Sequence, residues 1–526
     1  MTAAVTPRSK KRSSVTPINL SRDLVLVLAI VGSIRFGSIF NAATISWDEN
    51  TFILVAQRLT LGELPYTTTF DNKPPLFVVL QALLLGSSSS LALFRLSLVI
   101  VISITALAVR VALLRAGARP AASWIAVVAM ALFSASAPAG GAWMSQHAAN
   151  LWLAILLLIV MSEKTTKRLD VGIGLVVAVL VLTRTNYLIP AMFIVLLDLA
   201  FRSELHCSGR VGRQAAGFAV PVLLTVAVYW ITDSIPSLIS GVIDIVVRSG
   251  GQGDPRSALA IPDRWLLAAV AMGLLLHACG YLADHGDRTL LPVRRRFRAL
   301  NIAALMGTAL SIQLHSAVLT HYLLILVVPL AASAGLAVDG VARGFLGSRS
   351  DRRTYSRKRA FTISAGLAAS LTLLVPAGFS TDRLRPADPS QSAFESELVN
   401  ELRQLNEDKA GTVWALNDHF VYWRLEILPP DPLVTHPSNL MKPEYWMYAP
   451  RANSSRPQSG TEAINRILQR NPTYIVSSRE LSEWYLRGLD DDERHSFVSA
   501  LERDYEIVWA AEGRDTVIRA RMFALK

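Results

Sequence analysis

Two acids and a lysine pose the chemical question in this chain. Trp47-Asp48-Glu49 is followed by Asp71-Asn72-Lys73-Pro74-Pro75-Leu76, and both groups fall in the first loop after an apolar run long enough to cross a bilayer. Ionised side chains beside a membrane core are costly to desolvate and are kept where they act. A carboxylate there suits general-base work or a cation, and an ammonium suits a phosphate. Ser46 and Glu49 also meet the S-x-x-E spacing of a capping box, so Glu49 has a structural alternative as the cap of the helix that follows. Asp48 is not needed by that box and is the better candidate for a base. Pro74 and Pro75 force an extended approach and then allow a helix to start, which fixes where Lys73 points. Lys73 is either a phosphate partner or a snorkelling anchor at the interface.

The elements that must position these groups are membrane spans. The 526 residues are 52% hydrophobic and 17% charged, with a mean hydropathy of +0.38, a composition too apolar for an ordinary soluble protein. Apolar runs recur at 24–40, 91–114, 121–137, 143–162, 171–183, 186–201, 214–232, 264–283, 299–315, 321–340 and 361–379. They predict a polytopic α-helical membrane protein of about eleven transmembrane helices, the fifth and sixth unusually short.

Charge predicts their direction. The arm before the first run carries Arg8, Lys10, Lys11, Arg12 and Arg22, and every second loop after it is basic: Arg110 to Arg119, Lys164 to Arg168, Arg202 to Arg213, Arg288 to Arg298 and Arg343 to Arg359. The positive-inside rule makes these loops and the N-terminus cytoplasmic. The loop at 43–74, with Asp48, Glu49, Glu63 and Asp71 against Arg58 and Lys73, is then external. An odd number of spans also puts the C-terminus outside. The net charge of +12 is accounted for by loops beside anionic head groups, so nucleic acid is excluded as the partner and membrane lipids are expected in its place. The run at 24–40 lacks a small-residue cleavage site and reads as a retained span. Cys207 in a cytoplasmic loop and Cys279 inside a span are not expected to pair.

Beyond Gly378 the composition changes. Short alternations at 412–416 and 473–476 read as strands, 391–405 and 461–470 have helical spacing, and 505–509 with 516–520 reads as a hairpin. Three parts are therefore expected: a basic cytoplasmic arm over 1–23, a transmembrane domain over 24–379 with its outer loop at 43–75, and an extracytoplasmic α/β domain over 380–526.

The motifs as a set resemble those of bacterial membrane glycosyltransferases of the GT-C superfamily, the protein O-mannosyltransferase-like, aminoarabinose-transferase-like and lipopolysaccharide galacturonosyltransferase-like proteins. The resemblance is carried by Asp48-Glu49 after the first span, Gly62-Glu63-Leu64-Pro65-Tyr66, Asp71 to Leu76, Leu182-Thr183-Arg184-Thr185-Asn186, and His321-Tyr322-Leu323-Leu324 through Pro329. It implies a polyprenyl-phosphate-linked sugar donor and an envelope acceptor, whether glycolipid, polysaccharide or protein. It implies Asp48 as the base, Glu49 as a partner orienting acceptor or metal, and Lys73 and Arg184 as binders of the leaving phosphate. Tyr66, His321 and Tyr322 join that donor site by the same resemblance. Such chemistry is coherent: departure of a phosphate builds negative charge that fixed cations stabilise while a carboxylate takes the acceptor proton. Single displacement inverts the anomeric centre, and a retaining route would need Glu49 as a nucleophile.

Several residues keep two readings. Arg184 lies between two short apolar runs and either snorkels or lines a polar cavity. His147 and Asn150 share a face with Trp143 and fit interhelical hydrogen bonding. His315 and His321 flank a short outer turn and, with Asp48, form a candidate set for a divalent cation, the one cofactor the sequence leaves open. Residues 233–263 combine an amphipathic stretch with Gly250-Gly251-Gln252-Gly253 and read as a lid or an interfacial helix. The rival function is a transporter or flippase of a lipid-linked saccharide, which should carry acids or repeats deep in its spans. A non-catalytic scaffold ranks third.

Overall fold

A computed structural model describes residues 19–39, 47–71, 73–86, 90–137, 140–162, 166–202, 207–244, 264–283, 291–314, 320–346, 389–405, 411–436, 439, 459–477, 489–512 and 518–525. Its helices are α1 (Leu20–Ile39), α2 (Trp47–Thr60), α3 (Pro75–Leu85), α4 (Leu91–Arg115), α5 (Pro120–Ser136), α6 (Ser145–Val160), α7 (Lys167–Thr183), α8 (Leu188–Phe201), α9 (Cys207–Ile231) and α10 (Ile235–Ile239). They continue with α11 (Arg264–Ala283), α12 (Leu291–Gln313) and α13 (Val327–Leu346), which follows a 3-10 stretch at Thr320–Leu326. Among the described residues three stretches are long and apolar enough to cross a membrane, Leu91–Arg115, Ser208–Ile231 and Tyr322–Arg343, accompanied by shorter apolar helices. The predicted span at 361–379 and most of the predicted lid at 233–263 lie outside the described residues.

Apolar stripes on these helices close around α4. It packs against α1, α5 and α6, while α5 meets α13, α13 meets α11, α6 meets α7 and α8 meets α12. The central part of α4 is 78% buried, whereas that of α9 is 17% buried. Leu223, Leu224, Trp230 and Ile231 of α9 therefore face outward, as lipid-facing positions of a span should. α9 is held on its other side by α7. There Gly174 and Gly217 each lie directly against the backbone of the opposite helix, with no room for a Cβ atom, so glycine sets the close approach.

Two helices begin earlier than their apolar runs predict. α9 starts at Cys207 and α12 at Leu291, and their first turns carry Arg210, Arg213, Arg294, Arg296 and Arg298. Hydropathy excludes these turns, yet their arginines bind buried aspartates of neighbouring helices: Arg210 to Asp170 and Asp198, Arg213 to Asp170, Arg294 to Asp339 and Arg296 to Asp198.

The later part of the chain adds α14 (Pro389–Leu405), β1 (Val413–Ala415), α15 (Phe420–Leu425), α16 (Gly460–Leu468), β2 (Tyr474–Ser477), α17 (Asp491–Asp504), β3 (Tyr505–Glu512) and β4 (Ile518–Leu525). The sheet order is β1-β2-β4-β3. β1 and β2 are parallel, with Trp414 opposite Ile475, and the remaining pairs are antiparallel. The alternation of side chains along β1 serves two cores. Val413 and Ala415 join the core of the helical bundle together with Phe420, Tyr422 and Trp423, while Trp414 and Leu416 pack with Leu433, Ile464, Ile467, Phe497 and Leu501. The strand is thus a seam between the sheet and the bundle.

Candidate active site

α2 holds the two acids in its first turn, where the helix N-terminus favours negative charge. The sequence suggests an amphipathic helix with Phe52, Ile53, Ala56 and Leu59 on its buried side. In the structure Glu49 to Gln57 are buried without a break, because residues 419–436 cover the second face. Trp423 donates its indole N–H to Asn50 Oδ1 at 2.9 Å. Thr51 donates its hydroxyl to the Thr435 carbonyl at 3.2 Å.

The neighbouring acids have separate environments. Glu49 turns inward and is fully buried. Arg95 clasps both of its oxygens at 3.1 and 2.7 Å, and the Trp143 backbone N–H donates to it at 2.9 Å. Arg95 also donates to the Ser38 carbonyl at 2.6 Å, so this pair joins the ends of α1, α2 and α4 to the start of α6. A bidentate arginine pair with a further donor is a well-compensated way to bury a carboxylate. The sequence offers Glu49 as a helix cap or as an orienting partner; the structure gives both of its oxygens to Arg95. Ser46, the other half of the suggested capping box, lies outside the described residues.

Asp48 keeps a partly open side chain, 23% exposed, with Lys73 Nζ 3.6 Å from its Oδ1. Lys73 also meets Asp71 Oδ1 at 3.3 Å and lies over the Phe52 ring at 5.3 Å. Its position follows from the local backbone. Pro74 is extended, Pro75 is the first residue of α3, and the Tyr66 hydroxyl donates to the Lys73 carbonyl. Burial pulls the Lys73 ammonium down, yet Asp71 and Asp48 outweigh it and hold the group above its ordinary value, against Arg184. Lys73 therefore stays charged at neutral pH.

Tyr66 is placed to hold this loop. It is buried at a positive φ of 70°, its ring lies 6.2 Å from that of Tyr229, and Tyr229 donates its hydroxyl to the Pro65 carbonyl at 3.2 Å. Gly241, in the π-helical turn Ser240–Asp244 after α10, abuts the Tyr66 ring so closely that a Cβ would collide with it. Burial, then Tyr229 and Asp71, push the Tyr66 phenol well up. Tyr66, one of the residues expected at the donor site, thus touches Lys73 through its backbone carbonyl.

Arg184 stands at the break the sequence suggests. α7 stops at Thr183, Arg184 is extended, and one 3-10 turn at Thr185–Tyr187 leads into α8. The guanidinium donates to Ser145 Oγ and faces the Tyr322 ring at 5.2 Å. The positive charge of Arg184 also opposes that of Lys73. Asn150 donates to the Leu324 carbonyl at 2.8 Å and accepts from the Tyr187 hydroxyl at 2.9 Å, which makes it an interhelical bond. His315 and the His321 side chain lie outside the described residues. Among the described residues no three His, Cys, Asp or Glu side chains form a metal-sized cluster.

One residue at the cluster escapes sequence reasoning altogether. His436 Nε2 is 3.7 Å from Asp48 Oδ1. No spacing rule joins residues so far apart, and only the docking of the C-terminal region onto α2 creates the contact. A shallow cavity lined by Leu54, Gln57, Arg58, Tyr422 and Glu426 includes none of these groups.

No protein-family model matches the chain, and no curated protein sequence matches it. Solved structures do. ArnT from Cupriavidus metallidurans in the apo state superposes with a TM-score of 0.52 at 13% identity, covering 96% of this chain and 98% of that one. The apo Archaeoglobus fulgidus oligosaccharyltransferase gives 0.49 at 13% identity, covering 98% and 75%. The arabinofuranosyltransferase AftD from Mycobacteria gives 0.42 at 16%, covering 98% and 40%. At such identity a likeness establishes fold and leaves chemistry to the site, and the fold assignment rests on the first match. The chain is a polytopic helical membrane protein that shares the fold of that ArnT structure.

Proposed function

We propose that the chain is a membrane glycosyltransferase that moves a sugar from a polyprenyl-phosphate donor to a hydroxyl of an envelope glycolipid, polysaccharide or protein. The single observation that carries this reading is the pairing of a partly open carboxylate with a half-buried, charged lysine, Asp48 and Lys73 at 3.6 Å, beside the Arg184–Tyr322 pair. Asp48 accepts the proton of the acceptor hydroxyl as its oxygen attacks the anomeric carbon. Lys73 and Arg184 stabilise the charge that builds on the departing phosphate. The carboxylates of Asp48 and Asp71 keep Lys73 cationic and in place before the donor arrives, so little reorganisation is needed.

The reaction inverts the anomeric centre. A retaining route needs a free second carboxylate as nucleophile, and Glu49 is committed to Arg95. Sidedness follows from charge. The arginine-rich ends of α4, α9, α12 and α13 lie at the far ends of their helices from this cluster, which supports a cytoplasmic location for them and an external one for Asp48. On this reading the membrane domain spans 24–379, the domain over 380–526 is extracytoplasmic, and the protein resides in a bacterial inner membrane. If the enzyme uses a divalent cation, Asp48 is its described candidate ligand.

The test is transfer by the full chain in proteoliposomes, supplied separately with tritiated polyprenyl-phosphate-linked mannose, arabinose, aminoarabinose and galacturonic acid and with a total envelope extract as acceptor. At least one label should move to acceptor in wild type. No transfer from any of the four, with the protein folded, overturns the reading.

A further inference from the structure

Arg184 is 5% exposed. Its guanidinium is met by the Tyr322 ring at 5.2 Å and, at Nη1, by the Ser145 hydroxyl oxygen. Among the described residues its Nε has no hydrogen-bond partner, so the fork is tethered at one nitrogen and unsaturated at another. A buried N–H left in that state calls for an explanation. Ser145 is the first residue of α6 and is fully buried, and the residues just before it are anchored to α1, α2 and α4. Arg35 of α1 donates to the carbonyls of Gly140, Gly141 and Ser134 at 2.6, 3.3 and 3.3 Å. Gly140 lies against the Ser134, Ala135 and Ala137 carbonyls with no room for a Cβ atom. Trp143 donates its indole N–H to Ser97 Oγ of α4 at 2.8 Å and its backbone N–H to Glu49 Oε1 of α2 at 2.9 Å. Only Met144 separates the residue bound to Glu49 from the residue bound to Arg184, and Glu49 is next to Asp48 in the first turn of α2. The base-bearing turn and the arginine are thus joined by one short link.

We propose that Ser145 is a positioning residue for Arg184, setting the offset of its guanidinium from Asp48, a role that rests on the proposed glycosyl transfer. In that step the acceptor oxygen bonds the anomeric carbon and gives its proton to Asp48. The anomeric C–O bond to phosphate breaks with its electron pair leaving on the polyprenyl phosphate, where Arg184 meets the new charge. A charge stabiliser acts fully only when its direction is set before the bond breaks, and a small misplacement costs rate. The face of the Tyr322 ring tolerates rotation of the guanidinium, whereas a hydrogen bond at one nitrogen is directional. Ser145 supplies that direction, and the anchors of the 140–144 segment hold Ser145. The serine acts on the phosphate only through Arg184.

The experiment is a double-mutant cycle in the proteoliposome assay, using the one labelled donor of the four that wild type turns over fastest. Ser145→Ala, Arg184→Ala and the two together are compared with wild type, with Asp48→Asn alongside. Ser145→Ala should lower kcat about 10-fold, the scale of one hydrogen bond to a charged group, with the donor KM within about twofold of wild type. Arg184→Ala should lower kcat about 10²- to 10³-fold. In the Arg184→Ala background, Ser145→Ala should change kcat by less than about twofold, whereas a serine with a merely structural role would cost the same factor in both backgrounds. Wild-type kcat in Ser145→Ala, a loss confined to the donor KM, or an equal loss in both backgrounds overturns the proposal while Arg184→Ala and Asp48→Asn stay impaired. Full activity in Arg184→Ala or in Asp48→Asn overturns instead the reading beneath it.

Discussion

At one end of the bundle four aspartates, Asp23, Asp170, Asp198 and Asp339, are all buried, and each is held by arginine. Asp198 alone meets Arg202 at 3.1 Å, Arg210 at 3.0 Å and Arg296 at 2.5 Å, and Asp339 meets Arg294 at 2.7 Å and Arg343 at 2.9 Å. At the other end Asp48 is 23% exposed, with Lys73 Nζ at 3.6 Å and His436 Nε2 at 3.7 Å. Both ends gather charge from several helices, yet only one leaves a carboxylate open to an incoming group. The difference teaches how to read charge in this bundle. Pairs that saturate every oxygen tie helix ends together, and pairs held at longer range beside solvent remain available for chemistry. Glu49 belongs in kind to the saturated class although it is next to Asp48 in sequence.

Four substitutions break or sharpen that contrast, taken from the largest expected effect to the smallest. Asp48→Asn should reduce transfer by about 10²- to 10⁴-fold, the range for loss of a general base, in initial-rate assays with unchanged thermal stability. Asp198→Asn should destabilise the fold by about 3 to 5 kcal/mol, because it removes the charge of the carboxylate that Arg202, Arg210 and Arg296 share in a buried setting, as read from unfolding in detergent. Its activity per folded molecule should be that of wild type. Lys73→Met should lower kcat by about 10²- to 10³-fold, as loss of a preorganised charge stabiliser does. A matching rise in KM alone would instead make Lys73 a simple anchor for the donor.

The smallest effect is a pH dependence in the covering region. Burial pushes the Glu395 carboxyl up to about 7, while Arg424 pulls it down, Asp418 pushes it up and Arg95 pulls it down. The Arg424 contact is 3.5 Å. A folded value above the ordinary 4.5 means the folded state holds this proton more tightly than the unfolded one. The resulting stability is present in full below that ordinary value, declines as pH rises between the two values, and is gone above the folded one. Glu395→Gln mimics the protonated acid. The Tm of wild type minus that of the variant should therefore become more negative from pH 5 to pH 8, whereas a constant difference would contradict the assignment.

Much of this was legible in the residues. The apolar runs gave the helices from α4 to α8 nearly to their ends, and the alternations at 412–416 and 473–476 gave β1 and β2. The break at Arg184 was readable because a polar pair between two short apolar runs cannot continue as a uniform span. The first turns of α9 and α12 were not readable, since an arginine destined for a buried aspartate looks to hydropathy like any loop arginine. Asp48 and Lys73 were visible as charge without apolar purpose. The burial of Glu49 was hidden because its partner, Arg95, lies beyond α3, on α4. His436 was hidden for the same physical reason at longer range: tertiary docking of residues 419–436 onto α2, and no local pattern, brings it to Asp48.

The most direct test sets the two ends against each other in one experiment. Asp48→Asn and Asp198→Asn are reconstituted in parallel, and each is measured for initial rate of sugar transfer and for Tm. The account predicts a crossed result: Asp48→Asn keeps the wild-type Tm and loses transfer, while Asp198→Asn loses Tm and keeps transfer per folded molecule. Wild-type turnover by Asp48→Asn would contradict the assignment of the open carboxylate as the catalytic base.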